Sequence, residues 1–211
     1  AVFIDSTGRS YSLAAHSLPS ARGQGEPLTG RLQPPPGATF ECLLLPDDNA
    51  LYVIASDAGY GFVVKGEDLQ AKNKAGKALL TLPAGALVVP PKPLGNREED
   101  WLAAVTTEGR LLVFKVADLP QLGKGKGNKI INIPSAEAAK GEDGLAHLFI
   151  LPPQSTLTIH VGKRKIKLRP EELQKVVGER GRRGSLMRGL QRIDRVEIDS
   201  PARSTAGDSE E

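Results

Sequence analysis

The chain has 211 residues, 39% hydrophobic and 25% charged, with 23 glycines, 16 prolines and few aromatics. That excludes a disordered polymer and leaves enough apolar residues for a sizeable core. Net charge is only +3, yet residues 1–110 carry 10 Lys/Arg against 12 Asp/Glu while residues 111–195 carry 17 against 8, which points to a polyanion-facing half.

Cys42 is the sole cysteine, so there is no disulfide framework and a reducing compartment is expected. No apolar run reaches the length of a membrane span, and no signal peptide opens the chain. The first residues, "AVFIDSTGRSY", have the character of a strand entered midway, so the chain reads as a piece of a longer protein.

Four stretches repeat one pattern, beginning at Val2, Val53, Ala104 and Ile159. Each runs through an apolar strand, a turn glycine, a second strand, a polar residue before leucine, a glycine-and-cation loop and a further apolar strand. The turn glycines Gly8, Gly59, Gly109 and Gly162 are spaced 51, 50 and 53 apart; Leu18, Leu69, Leu119 and Leu173 are spaced 51, 50 and 54 apart. Two landmarks on one period define a repeat.

Taken in order, the first unit holds the hairpin "STGRSYSL" and the loop "ARGQGEPL" with Arg22. The second holds "DAGYGFVV" and "AKNKAGKAL", with Lys72, Lys74 and Lys77. Prolines at 34–36 and at 90–93 are expected in loops between strands. The third unit holds "TEGRLLVF" and "GKGKGNKII", with Lys124, Lys126 and Lys129, and then "PSAEAAKG", good for a turn or two of helix. In the fourth, "KRKIKLR" alternates strictly, with Lys163, Lys165, Lys167 and Arg169 on one face and Ile166 and Leu168 on the other. "RPEELQKVV" suits a short helix with Pro170 in its first turn, and "ERGRRGSLMRGL" brings Arg180, Arg182, Arg183 and Arg188.

The fold class is therefore all-β: a propeller-like array of four-stranded blades, about four of them, with repeats at about 2–52, 53–103, 104–158 and 159–199. Each unit buries its apolar face only against its neighbours, so residues 1–199 should form one domain. Residues 200–211, "SPARSTAGDSEE", lose apolar content and are expected to be a disordered acidic tail.

Catalytic signatures are missing. "GKGKGNK" lacks the spacing and the Ser/Thr of a P-loop, and His16, His147 and His160 lie far apart with no zinc spacing. The acidic groups Asp47–Asp48 and Glu98–Glu99–Asp100 fall in turn-like stretches and are expected to be solvated. What repeats is the cationic loop, whose glycines let backbone approach a phosphate while flanking cations neutralise it. Equivalent positions on successive blades would give a curved track suited to duplex DNA. Aromatics are absent from the loops themselves, which disfavours base stacking. The competing reading is a protein-interaction propeller whose basic loops meet an acidic partner.

"SLPSARGQGEPLTG", "DLPQLGKGKGNKIINIPSAEAAKGEDG", "LPPQSTLTIHVGKRKIKLRPEELQKVVGERGRRGSLMRGLQRIDRVEIDS" and the "GDSEE" end carry a resemblance over essentially the whole chain. They are similar to the C-terminal domains of the A subunits of bacterial DNA topoisomerase IV, paralogues of the corresponding domain of gyrase A. The resemblance implies a β-pinwheel with strands exchanged between blades and a basic rim that docks or bends duplex DNA. It implies no catalysis or cofactor in this domain. The parent would be a type II topoisomerase using ATP and Mg2+ on other domains or subunits, an A-subunit dimer with two B subunits. The fragment itself would be monomeric, and the parent cytoplasmic and chromosome-associated, with a peripheral inner-membrane position as a further expectation. The resemblance implies five or six blades where four repeats are visible, so the remaining blades and the catalytic tyrosine are expected upstream. The gyrase-type box Q-R-R-G-G-K-G is not intact; its nearest versions, "QLGKGKG" from Gln121 and "ERGRRGS" from Glu179, imply bending rather than a full wrap.

Overall fold

A computed structural model of the chain describes residues 1–20 and 22–201. The acidic tail expected over 200–211 lies almost entirely outside the described residues. The first repeat supplies β1 (Val2–Asp5), β2 (Arg9–Ser12) and β3 (Phe40–Leu44). The second supplies β4 (Leu51–Ser56), β5 (Tyr60–Lys65), the helical turn α1 (Gly66–Leu69), β6 (Lys77–Ala78) and β7 (Val88–Leu94). The third adds β8 (Trp101–Thr106), β9 (Arg110–Lys115), β10 (Asn128–Lys129), α2 (Ser135–Lys140) and β11 (Leu145–Leu151). The fourth adds β12 (Thr156–Val161), β13 (Arg164–Leu168), α3 (Pro170–Gln174), β14 (Ser185–Leu186) and β15 (Arg195–Asp199).

These strands make four antiparallel sheets, ordered β3-β1-β2-β6, β10-β5-β4-β7, β11-β8-β9-β14 and β13-β12-β15. The all-β array of blades expected from the sequence is what forms. In each of the first three blades the outermost strand comes from the next repeat: β6 closes the first blade, β10 the second and β14 the third. The last blade has three strands among the described residues, not four, and β13 is its outer edge.

Each blade's central strands are apolar on both faces because each blade is sandwiched. Ile54 packs toward the first blade with Val2 and Ile4, whereas Val53 and Ala55 pack toward the third with Leu102 and Ala104. Ala103 and Val105 in turn meet Leu157 and Ile159 of the fourth blade. Continuous burial of β4, β5, β8 and β9 follows from these two-sided contacts. Among the described residues no hydrophobic cluster joins the fourth blade to the first. The free face of the first blade is covered by its own loop: Phe3 and Tyr11 pack on Leu18, Leu28 and Leu32. The last blade's outward face is polar, with Thr158 flanked by Lys167 and Glu197, and His160 by Lys165 and Arg195. Such polar ends terminate a stacked array.

Two local expectations are corrected. Pro90, Pro91 and Pro93 lie inside β7, not in a loop. β7 is an edge strand, and its register shifts opposite Val53–Ala55, so Pro90 and Pro91 occupy a bulge where no ladder donor is required. Asp100 is fully buried; its carboxylate accepts the N–H groups of Gly95 and Asn96 at 3.1 and 2.9 Å and closes the turn before β8. Among the described residues no helix is long and apolar enough to cross a membrane.

Candidate nucleic-acid interface

The glycine-and-cation loops lead into the donated strands. β6, β10 and β14 pair with the turn ends of β2, β5 and β9, in the registers Ser10↔Lys77, Tyr60↔Lys129 and Leu111↔Ser185. The residue after each donated strand then hands its N–H to the turn glycine of the preceding blade: Leu79 to Gly8 at 3.1 Å, Ile130 to Gly59 at 2.7 Å and Met187 to Gly109 at 2.9 Å.

Three glycines inside the loops serve this crossing. Gly76, Gly127 and Gly184 have positive φ, and a Cβ on them would lie 2.6, 2.1 and 2.7 Å from the carbonyl oxygens of Ser10, Gly61 and Leu111. Their lack of a side chain lets one blade's backbone pass over the next. Gly76, Gly127 and Gly184 therefore face protein backbone, whereas Gly25 and Gly125 have open space where a Cβ would lie. The cations between them remain on the outer edge.

Successive loops are also bonded to each other. Gln33 N–H donates to Lys74 C=O at 2.8 Å, joining the first loop to the second. Thr81 N–H donates to Gly125 C=O and Gly125 N–H to Leu79 C=O, each at 2.9 Å, joining the second to the third. Asn132 N–H donates to Arg182 C=O and Gly181 N–H to Ile130 C=O, again at 2.9 Å, joining the third to the fourth. A continuous backbone ridge therefore runs along the outer edge of the array.

Along this ridge Arg22, Lys72, Lys74, Lys124 and Lys126 are exposed, and Lys77 and Lys129 are half-buried. Lys129 Nζ donates to Asn132 Oδ1 at 2.7 Å. Tyr60, contributed by the neighbouring blade, places its ring centroid 3.9 Å from Lys126 Nζ and 5.9 Å from Lys129 Nζ. The aromatic that the loops themselves lack is supplied by a different repeat. Its signal is positional, since Arg9, Tyr60, Arg110 and Lys163 each follow a turn glycine.

The fourth loop is less available than its composition suggests. Arg183 is 31% exposed and spans Glu108 at 3.0 Å and Glu137 at 2.8 Å, interactions that raise its already high pKa. Arg180 Nη1 donates to Lys129 C=O at 2.6 Å and ties this loop to the third. Arg182 pairs with Glu179 at 2.7 Å in full solvent, while Arg188 is exposed. Lys163, Lys165, Lys167 and Arg169 are exposed along or beside β13, an edge that carries charge instead of a partner strand. Arg195, not singled out from the sequence, joins them by pairing across from His160, whose Nε2 lies 3.3 Å from Glu197. His160, and secondarily Arg195, hold the Glu197 carboxyl below the usual carboxylate range.

Glu108, Glu137 and Asp143 bring carboxylate oxygens within 4.8 Å of one another. Arg183 already bridges two of them, and Asp143 Oδ1 accepts from Thr107 Oγ1 and the N–H groups of Glu108 and Gly144. Two of the three carboxylates are thus engaged by Arg183, and Asp143 is held by hydroxyl and backbone donors.

Strand exchange with a cationic outer edge defines the class: a gyrase A-type C-terminal propeller domain. The family model for the DNA gyrase C-terminal domain, beta-propeller, matches residues 51–93 and 100–151. The chain is 70% identical over 210 residues to the A subunit of DNA topoisomerase 4 from Escherichia coli (strain K12), covering 100% of this chain but 28% of that protein. It superposes on the E. coli ParC C-terminal domain with a TM-score of 0.89 at 70% identity, covering 95% of this chain and 81% of that one. A DNA gyrase A C-terminal domain shares the fold at a TM-score of 0.66 and 13% identity, covering 94% of this chain and 65% of that one. The chain belongs to the C-terminal domains of the ParC-type A subunits of DNA topoisomerase IV, and is that domain rather than the catalytic part. It spans just over a quarter of the length of the curated relatives it matches.

Proposed function

We propose that residues 1–199 act as one duplex-DNA-binding domain whose outer ridge contacts the phosphate backbone with little sequence preference. The observation that carries this reading is the chain of hydrogen bonds from Gln33–Lys74 through Gly125–Thr81 to Asn132–Arg182, which holds Lys72, Lys74, Lys124 and Lys126 along one continuous edge. Lysines of this kind contact phosphates, which carry no direct base information. Kinship with the A subunits of gyrase and topoisomerase IV supports the same reading.

In the parent protein the domain would guide selection of the DNA crossing acted on by an ATP-dependent type II topoisomerase, for decatenation and supercoil relaxation. ATP and Mg2+ would be held by other domains or subunits, in an assembly of two A and two B subunits. The domain itself would be a monomer that needs no cofactor, working in the cytoplasm on the chromosome and bending duplex modestly. Bending by tens of degrees costs a few kcal/mol, which a handful of phosphate contacts offset.

The test is a titration of the chain against random-sequence duplex at increasing salt. Neutralising roughly six phosphates implies about a thousandfold weaker binding between about 50 and 200 mM salt. A thousandfold preference for one short site over scrambled duplex, or preference for an acidic protein surface over DNA, would contradict it.

A further inference from the structure

The residue after the turn glycine has a common job in two blades. Arg9 Nη2 donates to the carbonyls of Ala75 and Gly76, both at 2.9 Å, clamping the loop that enters the first blade. Arg110 Nη1 reaches Gly184 C=O at 3.5 Å at the third blade and is held by Glu108 through its Nε at 3.2 Å. The second blade has Tyr60 in place of an arginine in that position, and the guanidinium that reaches its incoming strand, Arg180 Nη1 to Lys129 C=O at 2.6 Å, comes from the fourth repeat.

Instead the ring gathers lysines. Pairing of Lys129 opposite Tyr60 sets their side chains side by side, and Lys126 Nζ sits 3.9 Å from the ring centroid. The electron-rich ring attracts both ammonium groups, Lys126 more closely than Lys129, whose Nζ lies 5.9 Å from the centroid. Both line a cleft of about 1100 Å³ between the second and third blades, together with Tyr60, Asn132, Ser135 and Lys140. Asp57, also on the wall, is occupied by the N–H of Leu87 at 2.7 Å.

We propose that Tyr60 is a positioning residue for duplex binding: its ring presents Lys126 and Lys129 at the mouth of this cleft and makes the second seam the anchoring point for the sugar–phosphate backbone. This rests on the reading of the ridge as the duplex surface. An ammonium already held in place loses less freedom when a phosphate arrives, so affinity rises without a new contact. Lys126 over the ring also blocks base stacking, so the ligand at the seam is backbone. The fourth loop cannot take this role as readily, because Arg180 and Arg183 are engaged internally.

The experiment compares the chain with Tyr60→Phe and Tyr60→Leu in titrations of a labelled random-sequence duplex at low salt. Tyr60→Phe should bind like the parent chain, and Tyr60→Leu about two- to fivefold more weakly, the usual worth of an exposed cation–ring contact. Lys126→Ala should cost less in the Tyr60→Leu background than in the parent. In NMR spectra of the unmodified chain, ring current should shift the Lys126 ε-methylene protons upfield, a readout that needs no variant. Equal binding of Tyr60→Leu and the parent, equal loss in the Phe and Leu variants, additive costs, or unshifted Lys126 protons would each overturn the proposal. If the parent chain itself failed to bind duplex, the functional reading would fall instead.

Discussion

Gly59 and Ile131 come together so closely that a Cβ on Gly59 would lie 2.5 Å from the carbonyl oxygen of Ile131. Gly59 also has φ +81°, and its own carbonyl accepts the N–H of Ile130. One residue thus closes a hairpin in the second blade and seats the strand arriving from the third repeat. Gly59→Ala should cost about 3 kcal/mol, combining the left-handed backbone penalty of about 1–2 kcal/mol with displacement of the donated strand. Thermal melting should fall by about 6–12 °C. Gly25 has φ +74° but nothing within 4 Å of a Cβ, so Gly25→Ala should cost only the backbone penalty, about 1–2 kcal/mol.

The repeat was legible in the sequence because its landmarks are forced by physics. Gly8, Gly59, Gly109 and Gly162 all need positive φ, and Leu69, Leu119 and Leu173 are all buried. The exchange of strands was legible only through family resemblance. β6, β10 and β14 are two residues long, and no local periodicity tells such a strand which repeat it will join. The candidate cations were legible as a composition but not as a set of free groups. The carboxylates that engage Arg183 come from Glu108 and Glu137, far away in sequence, and Tyr60 reaches Lys126 from another repeat. The proline-bearing strand β7 was missed because a bulge at a sheet edge removes the usual objection to proline.

Arg183 should matter to the fold and little to DNA. Arg183→Met leaves Glu108 and Glu137 facing each other, and should cost about 1–2 kcal/mol in urea unfolding, given partial exposure of the site. The salt dependence of duplex binding should change by less than about one released counterion. Arg182→Ala, which removes a solvent-exposed pair, should change stability by under about 0.5 kcal/mol.

Tyr11 supplies an alkaline signature. Burial, aided by its hydroxyl's 2.6 Å hydrogen bond to Asp5 Oδ2, pushes the phenol up to about 12. A raised folded-state value favours the neutral form, so this contribution to stability is complete below the unfolded value near 10 and disappears as pH rises toward about 12. Ultraviolet titration should show Tyr11 ionising together with alkaline unfolding. Tyr11→Phe should remove that step and flatten the decline in stability between those pH values.

The central claim is that duplex lies along the donated outer strands at the turn ends of the blades. It is tested most directly by lysine acetylation of the chain, alone and saturated with random-sequence duplex, read out by mass spectrometry. Lys72, Lys74, Lys124 and Lys126 sit on the ridge, whereas Lys65 and Lys115 end β5 and β9 at the opposite end of their strands, about 15 Å away at the usual rise per residue. Duplex should protect the first four at low salt, with protection lost as salt rises, and leave Lys65 and Lys115 reactive throughout. Protection of Lys65 and Lys115 with Lys124 and Lys126 still fully reactive would contradict the account.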